Sequence, residues 1–173
     1  MVLGMSLATF TLVHVLISLA GIASGLVVVY GMLTAQRLDR WTAFFLVTTV
    51  LTSATGYLFP FEHLLPSHIV GAISLVVLAI AFVARYARRM AGTWRSTYVV
   101  SAIVALYLNC FVLVVQSFLK VPALHALAPT QKEPPFAIAQ LLVLVIFVAL
   151  GIFSVKRFRQ ASVAEMPAWR KAS

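Results

Sequence analysis

A chain of 173 residues that is 62% hydrophobic and 10% charged has too little polar surface to face water, since soluble domains carry roughly 25% charged residues. Lipid is therefore its expected solvent, and the length allows one domain. The net charge of +9 does not point to nucleic acid, because the basic residues sit in short runs between apolar stretches, as in membrane loops, rather than on one face of a domain.

A helix needs about 20 apolar residues to cross roughly 30 Å of hydrocarbon. The first uncharged run, Met1 to Gln36, exceeds that and is closed by Arg37, Asp39 and Arg40. No Lys or Arg precedes Arg37, so the run lacks the basic start and short core of a cleavable signal and reads as a first span, about residues 8–35. The second span, about 41–59, stops at Pro60, and the third, about 67–87, begins after Pro66 and runs into Arg85, Arg88 and Arg89. The fourth covers about 96–119 and the fifth about 136–155, ending at Lys156, Arg157 and Arg159. Proline lacks a backbone N–H and clashes inside a helix, and every proline falls outside these five segments. The expected fold is all-α: a five-transmembrane-helix bundle over residues 1–158, then a polar tail, 159–173. Asp, Glu, Lys and Arg are expected at the ends of the spans rather than inside them.

The charges orient the bundle. All 13 basic residues except Lys120 and Lys132 lie in the loop after span one, the loop after span three and the C-terminal tail. The positive-inside rule makes that side cytoplasmic and the N-terminus external. Trp41 and Trp94 then fall at the inner interface, where indole rings favour the headgroup region. A short interfacial helix is expected at Ala123 to Ala128, within the connection Lys120 to Pro135, and a lone Cys110 reads as a packing residue.

Helical spacing sorts the polar residues into faces. Thr11, His14, Ser18, Gly21 and Gly25 share one face of span one, and Ser18, Gly21 and Gly25 form a small-residue surface for a neighbouring helix. Thr48, Thr52 and Thr55 line one face of span two, with Thr49, Ser53 and Gly56 beside it. Their hydroxyls are expected to bond back to the preceding turn. Asn109 and Gln116 share a face of span four, and Gln140 a face of span five with Gly151 and Ser154. Amides in hydrocarbon leave hydrogen-bonding groups unmet, so these should face the bundle.

His14, His68, Asn109, Gln116 and Gln140 converge on the outward half and make the candidate ligand-binding layer. His14 and His68 on facing helices can ligate a haem b iron axially, and the same layer can hold a quinone through carbonyl-directed hydrogen bonds. Glu62, His63, His68 and His125 have ligand chemistry, but no metal-site spacing. No phosphate loop, nucleophile elbow, zinc-protease helix or carboxylate pair is present.

The segment ALYLNCFVLVVQSFLKVPALHALAPTQKEPPFAIAQ, Ala105 to Gln140, together with TSATGYLFPF, Thr52 to Phe61, resembles a group of uncharacterised small inner-membrane proteins of Gram-negative bacteria. The resemblance implies a bacterial inner membrane, with the N-terminus periplasmic, and brings no activity. The functional expectation is a non-catalytic accessory or small-ligand-binding bundle in the lipid bilayer, alone, as a homo-oligomer or with other membrane subunits. Beside it stand a haem- or quinone-linked redox module using His14 and His68, and a transporter of a neutral solute along Thr48, Thr52, Thr55 and Asn109.

Overall fold

The structure, a computed structural model, describes residues 2, 4–59 and 66–164, with side chains except at 66, 67 and 159–164. Pro60, Phe61, Glu62, His63 and the tail beyond Ala164 lie outside the described residues. Among those described there is no strand, only one isolated bridge between Val2 and Met5. Six α-helices follow in order: α1 (Leu7–Leu33), α2 (Asp39–Gly56), α3 (Pro66–Phe82), α4 (Trp94–Lys120), α5 (Pro122–Leu127) and α6 (Pro134–Ala164).

Local chemistry sets these boundaries. Ser6 Oγ caps α1 by accepting from the Thr9 N–H at 3.1 Å. The helix ends in a tight turn in which Ala35 takes a φ of 62° and the Gln36 N–H reaches the Gly31 carbonyl at 2.7 Å. Gly31 is required there, since a methyl group would lie 2.8 Å from Leu38 Cδ1 and 3.2 Å from the Gln36 carbonyl. Asp39 opens α2 with a negative charge at the positive end of the helix dipole. Prolines open α3, α5 and α6, where a missing N–H costs nothing. The interfacial segment expected at Ala123 to Ala128 is α5, and α6 runs to Ala164, past the point where the polar tail was expected to begin.

Four helical segments are long and apolar enough to cross a membrane: Leu7–Leu33, His68–Ala87, Trp94–Lys120 and Pro134–Phe158. α2, with 18 residues, carries Asp39 and Arg40 in its first turn and a run of hydroxyls, and is not among them.

Successive long helices run antiparallel, and α1 also meets α6. α2 lies between α1 and α3, and α4 packs on α1, α3 and α6. Residues on α1 (Val28, Val29, Met32), α2 (Phe45, Leu46), α3 (Leu78, Ala81), α4 (Tyr98, Val99, Ala102, Leu106) and α6 (Phe147, Phe158) form one buried cluster. These belong to the late halves of α1 and α3, the early halves of α2 and α4, and the middle and late parts of α6, so the cluster runs from one end of the bundle to its middle. At the opposite end His14, Asn109, Gln116 and Gln140 are half-buried, among buried residues such as Phe10, His68 and Phe118.

α3 does not stop cleanly. Val83–Ala87 continues it as a π-helical turn, with the Arg88 N–H on the Val83 carbonyl at 2.8 Å. The extra residue in the turn shifts the helical register, and Arg85 lies buried within it. This corrects the expectation that charged residues sit only at solvated span ends: the Arg85 side chain is 6% exposed.

Candidate functional site

Polar side chains gather at both ends of the bundle. At one of them, His14 Nδ1 lies 2.8 Å from Thr55 Oγ1, and its ring meets Phe59 edge-on at 5.1 Å. The Thr55 hydroxyl donates its one hydrogen to the Leu51 carbonyl at 2.6 Å. It can therefore only accept from the imidazole, which fixes Nδ1–H as donor and leaves the lone pair on Nε2. Ser18 Oγ donates to the His14 carbonyl at 2.9 Å.

His68 is buried. Its carbonyl accepts from the Tyr57 hydroxyl at 2.6 Å, and the two rings are 5.5 Å apart. Gly71 leaves room for that phenol: a methyl there would approach the Tyr57 ring to 3.2 Å. His14 and His68 thus bind residues two apart at the end of α2, about 200° around a helix. The helices that carry them, α1 and α3, each pack on α2, which lies between them.

The glycines of α1 let neighbouring helices in. A methyl at Gly21 would sit 3.3 Å from Thr48 Oγ1, 3.4 Å from Thr49 Oγ1 and 3.5 Å from Asn109 Nδ2. One at Gly25 would be 2.5 Å from Leu106 Cδ1 and 2.9 Å from Phe45 Cε2. The α2 hydroxyls bond back to their own helix: Thr48 to the Phe44 carbonyl at 2.8 Å, Thr49 to Phe45 at 2.8 Å and Thr52 to Thr48 at 2.9 Å. Ser53 instead crosses to Ser74 of α3 at 3.1 Å.

The amides behave differently. Gln140 Nε2 donates across to the Phe111 carbonyl of α4 at 3.2 Å, while its Oε1 is buried with no hydrogen-bond partner. Asn109 Nδ2 and Ser154 Oγ are likewise buried without one. Gln116 is half-buried on the same helix as Asn109. Near the end of α4, Gln131 Nε2 donates to the Val115 carbonyl at 2.8 Å, and His125 Nδ1 lies 3.3 Å from the Phe118 carbonyl. Among the described residues no three His, Cys, Asp or Glu side chains are grouped to hold a metal ion. The Glu62–His63 part of the metal reading lies outside the described residues.

At the other end, Arg85 pairs with Asp39 of α2. Its guanidinium lies 5.0 Å from the Tyr98 ring centroid and 5.8 Å from that of Tyr86, and Nη1 is 3.8 Å from Met90 Sδ. A pocket of about 10 Å³ beside it is lined by Thr42, Arg85, Tyr98 and Phe158, among others. An open cleft of about 490 Å³ is bounded by Arg37, Asp39, Arg40, Ala43, Arg85, Tyr86, Arg89 and Met90. Neither cavity is lined by Thr48, Thr52, Thr55 or Asn109. The Arg85 centre was missed from sequence. The available signal was that Asp39 and Arg85 stand almost equally far from the middle of the α2–α3 connection, which places them level in an antiparallel hairpin.

No protein-family model matches the chain, and no curated protein or solved structure is significantly similar to it. The apolar helices define the class as far as it goes: an all-helical bundle compatible with an integral membrane protein.

Proposed function

We propose that the protein is a five-span bundle of a bacterial inner membrane, N-terminus periplasmic and C-terminus cytoplasmic, serving as a non-catalytic accessory subunit or small-ligand binder. The fifth span is α2. It is about 27 Å long at 1.5 Å per residue and is tied to α3 near both ends, by Asp39 to Arg85 and by Tyr57 to His68. A helix held level with a spanning neighbour at both ends crosses the same layer.

The observation that supports the binding role is the His14 end, where Asn109 Nδ2 and Gln140 Oε1 lack partners. Buried polar atoms left so in a bilayer cost several kcal/mol by roughly estimated transfer energies, so a ligand or partner group that bonds them is stabilised there. The transport reading is weakened because the α2 hydroxyls are taken up by their own carbonyls. The redox alternative draws support from the Nε2 lone pair of His14. It is weakened by the placement of His14 and His68 on α1 and α3, with α2 between those helices, since one haem b needs both imidazoles on a single iron.

Native mass spectrometry of the protein released from nanodiscs tests this reading. The expected result is a stoichiometric added mass, from a small molecule or a second membrane chain, that is lost in Asn109→Leu/Gln140→Leu while helicity is retained. A bare monomer, or turnover by the purified protein alone, contradicts it. A Soret absorbance band abolished by both His14→Ala and His68→Ala moves the assignment to the redox module.

A further inference from the structure

We propose that the cleft between α2 and the π-helical turn of α3 binds the phosphate headgroup of an anionic phospholipid. Four arginines, Arg37, Arg40, Arg85 and Arg89, line it against one acidic residue, Asp39. The lining therefore carries an excess of three positive charges at neutral pH. Its volume of about 490 Å³ accommodates a headgroup, and guanidinium forks match phosphate oxygens geometrically.

The walls place this charge at a lipid interface rather than on a solvated surface. Beyond Ala43, which borders the cleft, Val47 continues the same face of α2 and is 50% exposed. On α3 and its π turn, Tyr86, Val83 and Ile80 follow at spacings of three and are 50%, 45% and 42% exposed. Exposed apolar side chains thus continue from the cleft region along both helices, which suits acyl chains and offers nothing to free phosphate. Trp41 lies beside Arg40 and is 48% exposed, as expected of an indole at headgroup depth. Basic pockets between spanning helices on the cytoplasmic side are suited to such headgroups.

Two features hold the arginines in place. The buried Arg85 is fixed by Asp39 and by the Tyr98 and Tyr86 rings. The segment that follows turns back through left-handed residues, Arg89 at φ 50° and Met90 at φ 55°, with the Met90 N–H on the Ala84 carbonyl at 2.9 Å. Met90 is buried and anchors the turn, while Arg89 is left on the rim of the cleft.

The inference rests on the membrane reading, and its test can fail without that reading failing. Detergent-purified protein is titrated with phosphatidylglycerol or phosphatidylcholine, and bound lipid is read by native mass spectrometry. Wild type should retain phosphatidylglycerol selectively. Arg40→Gln/Arg89→Gln, and separately Arg37→Gln/Arg40→Gln, should weaken that retention about 30-fold, as expected for two basic residues at a lipid surface. Both doubles spare the buried Arg85 and should melt like wild type. The control Lys156→Gln/Arg157→Gln removes the same charge from the same end of the bundle, outside the cleft, and should change retention far less than either double. Equal retention of the two lipids, or equal loss in the control, overturns the site. Displacement by millimolar inorganic phosphate overturns the lipid assignment in favour of a soluble phosphorylated ligand.

Discussion

Arg85 and Asp39 are unequal partners: the arginine side chain is 6% exposed and the aspartate 76%. Removing the carboxylate strands a charge inside the bundle, whereas removing the guanidinium strands one that water can solvate. Asp39→Asn is therefore expected to destabilise the protein by about 1–2 kcal/mol, a value discounted for the exposed partner. Arg85→Met fills the site with an apolar chain and should stay within about 1 kcal/mol of wild type, the scale of the lost cation–π contacts. Denaturant titration in mixed micelles orders the two, and a larger loss in Arg85→Met contradicts the asymmetry. Gly25 carries a second residue-scale prediction. Leu106 and Phe45, which a methyl there would strike, are themselves buried and have nowhere to move. Gly25→Ala should cost about 1–3 kcal/mol. Gly21→Ala, whose new methyl meets its neighbours at 3.3 Å or more, should cost less than half as much in the same titration. The glycine face was legible from its three-and-four spacing. The burial of Arg85 was not, because the run from Arg85 to Arg89 has the composition of a solvated loop and nothing in VARYA marks a π turn.

Between the ends of the α2–α3 hairpin, toward the Tyr57 end, Ser53 bonds directly to Ser74. Such bonds between membrane helices couple weakly, so a double-mutant cycle with Ser53→Ala and Ser74→Ala should return about 0.6 kcal/mol. A coupling near zero would mean that the hairpin depends on its two ends alone. The entry to α6 adds a pH prediction. Glu133 accepts from the Thr130 hydroxyl at 2.9 Å and from the Thr130 and Lys132 N–H groups at 3.2 and 3.0 Å. Desolvation pushes its carboxyl up, but the hydrogen bonds from its own backbone, Thr130 and Lys132 outweigh it, and the pKa lies below the ordinary glutamate value. A folded-state pKa below the unfolded one contributes stability that is present above the unfolded value and is lost as pH falls through the folded value. Amides at residues 130–133 should lose protection below about pH 4 relative to the interior of α6, after correction for intrinsic exchange; unchanged protection would contradict the carboxylate's part in the loop. The helices themselves could be read from apolar runs and prolines, which is why most of their ends fall close to the expected ones, while α6 runs on to Ala164 through residues too polar to count as span. Their neighbours could not, since periodicity says which face is polar and not which helix it meets. The order α1, α2, α3 separates His14 from His68, a fact carried by packing alone.

At the scale of the whole molecule the packing is lopsided. The fully buried cluster runs from the Arg85 end to the middle, while the amides and His14 are themselves half-buried and two polar atoms there lack partners. One face of α6 is open: Ile138, Leu141, Val145 and Phe153 are 64%, 60%, 56% and 57% exposed, as lipid-facing side chains should be. Mean hydropathy of +1.04 for the whole chain made lipid the expected solvent, but α2 is the helix on which the topology turns, because its hydroxyls and first-turn charges dilute the apolar signal. If α2 crosses, the residues before and after it face opposite compartments. Cys110 is the sole cysteine, so Cys110→Ala gives a clean background for single-cysteine variants at Gln36 and Leu58, both exposed. Labelling with a membrane-impermeant maleimide in intact cells and in inverted vesicles is the most direct measurement. Five spans predict that Leu58→Cys reacts from outside the cell and Gln36→Cys only in inverted vesicles; reaction of both from the same side would contradict the topology.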